Sequence, residues 1–219
     1  MAKQNAIGNS SESLTIDPGA SGDSYVQFDI NGTGEFRFGV DDDASDALKL
    51  SQGSALGAND TLIISANGEV KLPLQPSFCA YNSVTDSNVT GDGTVYTVVC
   101  NTEVWDQTSD YDTGTGIFTA PCDGYYLICG TVLLDEIAAT HTSIVLTLDA
   151  SNRDATGNGY NLTAGTPAGA FYLTASSYID MDATDVVAFK VTVGGGAKTV
   201  DVYGGGTHLY TSFSGTLIC

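Results

Sequence analysis

Positive charge is scarce in this sequence: seven lysines and arginines stand against 26 acidic residues, a net charge of −19. A surface of that sign repels phosphate backbones and anionic headgroups, which excludes nucleic acid as a partner. Histidine is scarcer, with His141 and His208 alone. No Gly-x-Ser-x-Gly elbow accompanies them, so no nucleophile with its base is in view and the chain reads as non-enzymatic. Each histidine is expected in a loop or at a strand edge as a solvated polar residue, with a ligand contact as the alternative for His208 in Gly206-Thr207-His208-Leu209-Tyr210 near the last loop. No apolar run reaches membrane-span length, which argues against membrane insertion. The start, Met1-Ala2-Lys3-Gln4-Asn5, leads into polar residues without a signal-peptide core. That points to synthesis in the cytoplasm. Five cysteines, Cys79, Cys100, Cys122, Cys129 and Cys219, are an odd number with no Cys-x-x-Cys spacing. They are expected reduced, and for the most part buried.

Helical periodicity is missing as well; short alternating runs bounded by Gly, Asn and Asp recur from end to end, so the fold class is all-β. Val26, Phe28 and Ile30 share one face of a strand that ends at Asn31-Gly32, a turn of positive φ, and Phe36, Phe38 and Val40 share a face on the return. Leu48 and Leu50 lie on a short strand, followed by a hairpin from Leu62-Ile63-Ile64 through Asn67-Gly68 to Val70-Lys71-Leu72. Residues 14–72 thus predict small, thin sheets with few large apolar residues. One copy alone leaves much of that apolar face wet, and three copies cover it. Pro73 and Pro76 interrupt ladder pairing and mark a boundary. The division is an N-terminal module, 1–75, and a C-terminal domain, 76–219.

Beyond Ser77 the strands lengthen and aromatics recur, as in Tyr125-Tyr126-Leu127-Ile128-Cys129 and Ile144-Val145-Leu146-Thr147-Leu148, a sandwich pattern of about eight strands. Asp106, Tyr111, Phe118, Gly124 and Tyr126 fall at spacings that resemble the signature of the complement-component-one-q family, with its tumour-necrosis-factor-like jelly-roll head. Phe78 resembles that family's first strand. The end, Phe213-Ser214-Gly215-Thr216-Leu217-Ile218-Cys219, resembles its last. Cys100 stands where the signature has its first aromatic. The resemblance covers residues 76–219 and implies a homotrimer that binds ligands and performs no chemistry.

The phrases Tyr25-Val26-Gln27-Phe28-Asp29-Ile30-Asn31-Gly32, Phe38-Gly39-Val40-Asp41 and Leu50-Ser51-Gln52-Gly53-Ser54-Ala55-Leu56-Gly57 resemble modules of phage tail fibres and bacterial appendages. Together the two resemblances imply a virion structural appendage: a head fibre, capsid decoration or short tail-fibre tip on the virion surface, assembled in the host cytoplasm. Residues 1–75 would meet a viral capsid or tail protein, and the trimeric knob a host-surface glycan or protein. The alternative is a secreted complement-one-q-like ligand or lectin-like factor, against which stand the polar N-terminus and the lack of a collagen-like repeat.

Two further features bear on chemistry. Asp41, Asp42, Asp43 and Asp46 offer oxygen ligands for a structural calcium, although an acidic turn accounts for them more simply and the spacing fits no EF-hand. No cofactor is called for. Tyr160, Tyr172, Tyr178 and Tyr203 can stack on sugars if exposed, but aromatics alternating along strands are more often core or interface.

Overall fold

The computed structural model describes residues 16, 18–19, 22–53, 55–162 and 169–219; residues 1–15 of the N-terminal module lie outside the described residues. The chain divides into two compact units, Met1–Leu74 and Gln75–Cys219.

In the first unit, β1 (Ser24–Ile30), β2 (Thr33–Asp41), β3 (Ala47–Gln52), β4 (Asp60–Ile64) and β5 (Val70–Lys71) follow one another as a single antiparallel sheet. One meander replaces the several thin sheets expected. Asn31 and Gly32 both have positive φ, 54° and 79°, the pair of values that closes a two-residue hairpin without splaying its strands. At Asn67-Gly68 only Gly68 is left-handed. Gly68 N–H bonds Ser65 O and Ser65 N–H bonds Glu69 O, which makes a three-residue loop with a glycine bulge.

This sheet is polar on its covered side. Arg37, Asp41, Lys49 and Ser51 are buried, and Lys49 Nζ lies 2.8 Å from Asp41 Oδ2 and 3.0 Å from Asp60 Oδ2. Arg37 donates through Nε to Gln27 Oε1 at 2.8 Å and lies over the Tyr25 ring. The turn after β3 folds onto this side. Gly57 N–H donates to Ser51 Oγ, and Gly57, at φ 87°, lies so close that a Cβ there would meet Asp41 Oδ2 at 2.7 Å. Only glycine fits at that point.

The second unit carries β6 (Ser77–Tyr81), β7 (Asp86–Thr90), β8 (Val95–Thr97), β9 (Thr102–Asp106), β10 (Tyr111–Asp112), β11 (Ile117–Thr119) and β12 (Gly124–Ile137). β13 (Ser143–Ala150), β14 (Ala155–Asn161), β15 (Gly169–Met181), β16 (Val186–Gly194), β17 (Val200–Val202) and β18 (Ser212–Leu217) complete it. One sheet runs β9-β6-β18-β12-β15, with β17 and β7 beside the far end of β12; the other runs β10-β11-β16-β13-β14, with β8 beside β16. The chain crosses between the sheets after β7, β8, β9, β11, β12, β14, β15 and β16, the alternation of a jelly roll. The fold is all-β.

The core lies between the sheets because each strand alternates. In β13 every second residue, Ile144, Leu146, Leu148 and Ala150, is buried, and Val187, Phe189, Val191 and Val193 of β16 belong to one buried cluster with Tyr126, Ile128, Val132 and Leu134 of β12. Each large apolar side chain so buried contributes about 1.5–3 kcal/mol. Gly130 leaves room for the Phe189 ring, which a Cβ there would enter at 2.6 Å. Among the described residues no buried side-chain nitrogen or oxygen lacks a partner.

Candidate functional site

The eight signature positions converge on the core. The Phe78 ring stacks on Tyr111 at 4.9 Å and on Phe118 at 4.8 Å, and Phe213 closes the group edge-on at 5.2 Å from Phe78. Tyr126 follows, 5.6 Å from Phe118. Asp106 accepts from the backbone N–H of Tyr111 at 2.9 Å and of Asp110 at 3.2 Å, fixing the turn that delivers Tyr111 inward. Gly124 and Gly215 are places of close approach: a Cβ at Gly124 would meet Leu217 Cδ1 at 2.5 Å, and one at Gly215 would meet Phe78 at 2.6 Å. This constellation builds the fold and offers nothing to a ligand. Burial holds the Tyr111 phenol well above its ordinary range, and it stays a neutral hydrogen-bonding group.

The four aspartates do not gather round a point. Asp41 turns inward onto Lys49 and caps the 3₁₀ turn Asp42–Ala44 by accepting from Ala44 N–H at 3.1 Å, while Asp42 accepts from Gly22 N–H. Asp43 and Asp46 are exposed. Among the described residues no group of three or more acids, histidines or cysteines is placed to hold a metal.

His141 departs from expectation. It is buried, 1% exposed, and its Nδ1 accepts from Ala138 N–H at 2.9 Å while Nε2 lies 3.0 Å from Ala197 O. Nδ1 as acceptor and Nε2 as donor is the neutral ring held by two backbone groups, a strut between loops. The β13 and β16 ends close on it because Gly91 and Gly196 have no side chains to exclude the ring. The cysteines depart in part: Cys79 and Cys100 are buried, Cys129 is half-buried, and Cys122 and Cys219 are exposed.

The second unit has two poles. Ser77 pairs with Thr216 and Tyr126 with Leu217, so Gln75, the start of β12 and the C-terminus share one pole; Tyr81 and Thr131 both pair with Ser212, and the end of β12 lies toward the other. At that far pole Tyr203 and Tyr210 meet edge to face at 5.2 Å, His208 lies 5.2 Å from Tyr210, and Tyr172 lies 6.4 Å from it. Tyr172 is 60% exposed, and Tyr203, His208 and Leu209 are exposed beside it. The backbone beneath is tightly held. Tyr203 N–H donates to Leu133 O, and the fully buried Thr211 hydroxyl donates to Tyr203 O at 2.7 Å while accepting from Leu133 N–H. Gly205 N–H and Asn82 N–H fasten the same loop to Asn82 O and Thr211 O.

A fixed loop under uncovered aromatic rings is a platform for flat ligands with weakly polar C–H faces, and its phenols supply donors and acceptors at the rim. Tyr172 and Tyr203 were flagged by sequence for stacking, and they do come together here. Tyr178 and Tyr160 do not: Tyr178, with Tyr125 and Arg153, lines a cleft of about 390 Å³ near the first pole, and Tyr160 lines another. Tyr210, the hub of the cluster, was not singled out by sequence. Its only signal is its place in the segment Thr207-His208-Leu209-Tyr210 that follows Gly204-Gly205-Gly206, in a loop whose return no local pattern reveals. Among the described residues no helix is long and apolar enough to cross a membrane.

No family model matches the chain and no curated protein does. Among solved structures it is similar to the globular domain of zebrafish complement 1qA protein, with 16% identity over 66% of this chain and 98% of that one, TM-score 0.46. The Eiger tumour necrosis factor of S. frugiperda follows, at 13% identity over 66% and 93%, TM-score 0.46. Murine APRIL is similar at 11% identity over 66% and 99%, TM-score 0.44. The class itself, an all-β chain with a jelly-roll sandwich, rests on the strand order described above.

Proposed function

We propose that this chain is a non-enzymatic virion appendage, a head fibre, capsid decoration or short tail-fibre tip, whose homotrimeric head presents the Tyr172–Tyr203–Tyr210 platform to glycans of the host surface. The first unit attaches it to a capsid or tail protein. The observation that supports a binding role is the platform itself: exposed Tyr172 on β15 and exposed Tyr203 on a pinned loop, joined through half-buried Tyr210, at the pole away from where the chain enters the head. What supports a role without chemistry is that His141 is spent on the backbone and His208 on a ring contact. The virion assignment is supported by the resemblance of the first unit's phrases to fibre modules.

Glycan-array binding of the full-length chain tests the reading. Tyr172→Ala and Tyr210→Ala are expected to lower affinity about tenfold each, the weight of one lost stacking contact. A wild-type chain that binds no glycan, or variants that bind as well as wild type, overturns the ligand class. Immunogold labelling of purified particles locates the chain, and its absence from them overturns the virion assignment.

A further inference from the structure

The sheet of the first unit is inside out. Its covered side holds Arg37, Asp41, Lys49 and Ser51, whereas its uncovered side is almost wholly apolar. Cross-strand register lines the apolar residues into rows. Val40, Leu48, Ile64 and Val70 stand side by side across four strands, as do Val26, Phe38, Leu50 and Leu62. A third row pairs Phe28 with Phe36. Phe28 is 57% exposed, Ile30 65% and Val70 63%.

We propose that this face is a seam between copies of the chain, each sheet covered by the same face of its neighbours. The inference rests on the homotrimer proposed above and adds the surface that joins it outside the head. Three arguments select the occupant. The rows contain no charged side chain, so the partner's contacting surface must be apolar and flat; the same face on another copy satisfies both conditions. The copies carry −19 each, and contact between them is favoured where that charge is absent. The face offers on the order of 700 Å² of apolar surface, close to the roughly 800 Å² per partner of a stable interface.

Light scattering together with hydroxyl-radical footprinting of the full-length chain tests this. Val84, 62% exposed, and Ile218 serve as references of the same residue types as Val70 and Ile30. Several chains per particle are expected, with Val70 and Ile30 oxidised at least about fivefold more slowly than their references. In Phe38→Asp, Val26 and Phe28 should lose that protection while Phe118 in the head keeps its own. If the variant fails to fold, the wild-type comparison still decides. Multichain particles with Val70 and Ile30 oxidised at the reference rates overturn the seam and leave the trimer standing. A monomer overturns both, and a monomer with the face protected assigns the cover to the chain itself.

Discussion

The Tyr111 phenol closes on one peptide segment twice: it accepts from Cys100 N–H and donates to Cys100 O, each at 3.1 Å. This pins the stretch before β9 to β10 inside the core, at the corner where a cysteine replaces the aromatic of the resembled signature. Tyr111→Phe keeps the ring stacked on Phe78 but leaves a buried N–H and C=O without their partner. The expected loss is about 2–3 kcal/mol. Denaturant unfolding of the full chain, followed by the head's transition, measures it; an unchanged midpoint contradicts the role given to the hydroxyl.

Gly215 and Phe78 make a second such pair. The ring fills the space a side chain at 215 would need, so Gly215→Ala forces Phe78 or Ile128 off its position. Overpacking of this kind costs about 1–3 kcal/mol. Thermal melting should show the head's transition shifted down, whereas Gly206→Ala, with open space around its Cβ, leaves it in place.

The all-β class and the hairpin at Asn31-Gly32 were legible because alternation and turn chemistry are local. The burial of Lys49 with Asp41 and Asp60 was not. The alternation in β2 and β3 was read correctly, yet nothing local tells which face is covered, and the usual rule assigns the apolar one. His141 was misjudged for a related reason. Its partners, Ala138 and Ala197, are backbone groups, one of them 56 residues away, and backbone partners leave no mark in a sequence.

The thiols should separate by burial. Desolvation pushes Cys100 up to about 12 and raises Cys79 and Cys129 above the ordinary range, so at pH 8 these three stay protonated and slow. Cys122 and Cys219 are exposed. Iodoacetamide at pH 8, read out by peptide mass spectrometry, should modify Cys122 and Cys219 first and Cys100 only on unfolding. Early modification of Cys100 would show that its corner opens in the native state.

Lys49 is the hinge of the first unit's electrostatics. Burial pulls its pKa down, but the hydrogen bonds and charges of Asp41 and Asp60 outweigh this and hold it above the ordinary 10.5. A raised folded pKa means that this contribution is complete below the ordinary value and lost as pH rises through the folded one. Lys49→Met leaves two buried carboxylates unpaired and should cost about 3–5 kcal/mol at pH 7. An unchanged midpoint of the first unit at pH 7, measured by denaturant unfolding, contradicts this account.

The last prediction separates the units. Every residue of the aromatic core lies between Phe78 and Phe213, and none of the Lys49 cluster does. The cut that respects this falls before Gln75, since Gln75 Nε2 donates to Leu217 O at 2.9 Å and Leu217 N–H donates to Pro76 O at 3.0 Å. Both bonds close the C-terminal strand. A fragment of residues 75–219 is therefore expected to unfold at the midpoint of the head in the full chain, and a fragment beginning at Ser77 about 1–2 kcal/mol earlier. Lys49→Met in the full chain should lower only a separate transition of the first unit and leave the head's midpoint where the fragment has it. If the fragment of residues 75–219 does not fold, or if Lys49→Met drags the head's transition down with the first, the units depend on one another for stability. Attachment and ligand binding cannot then be assigned to separate halves of the chain.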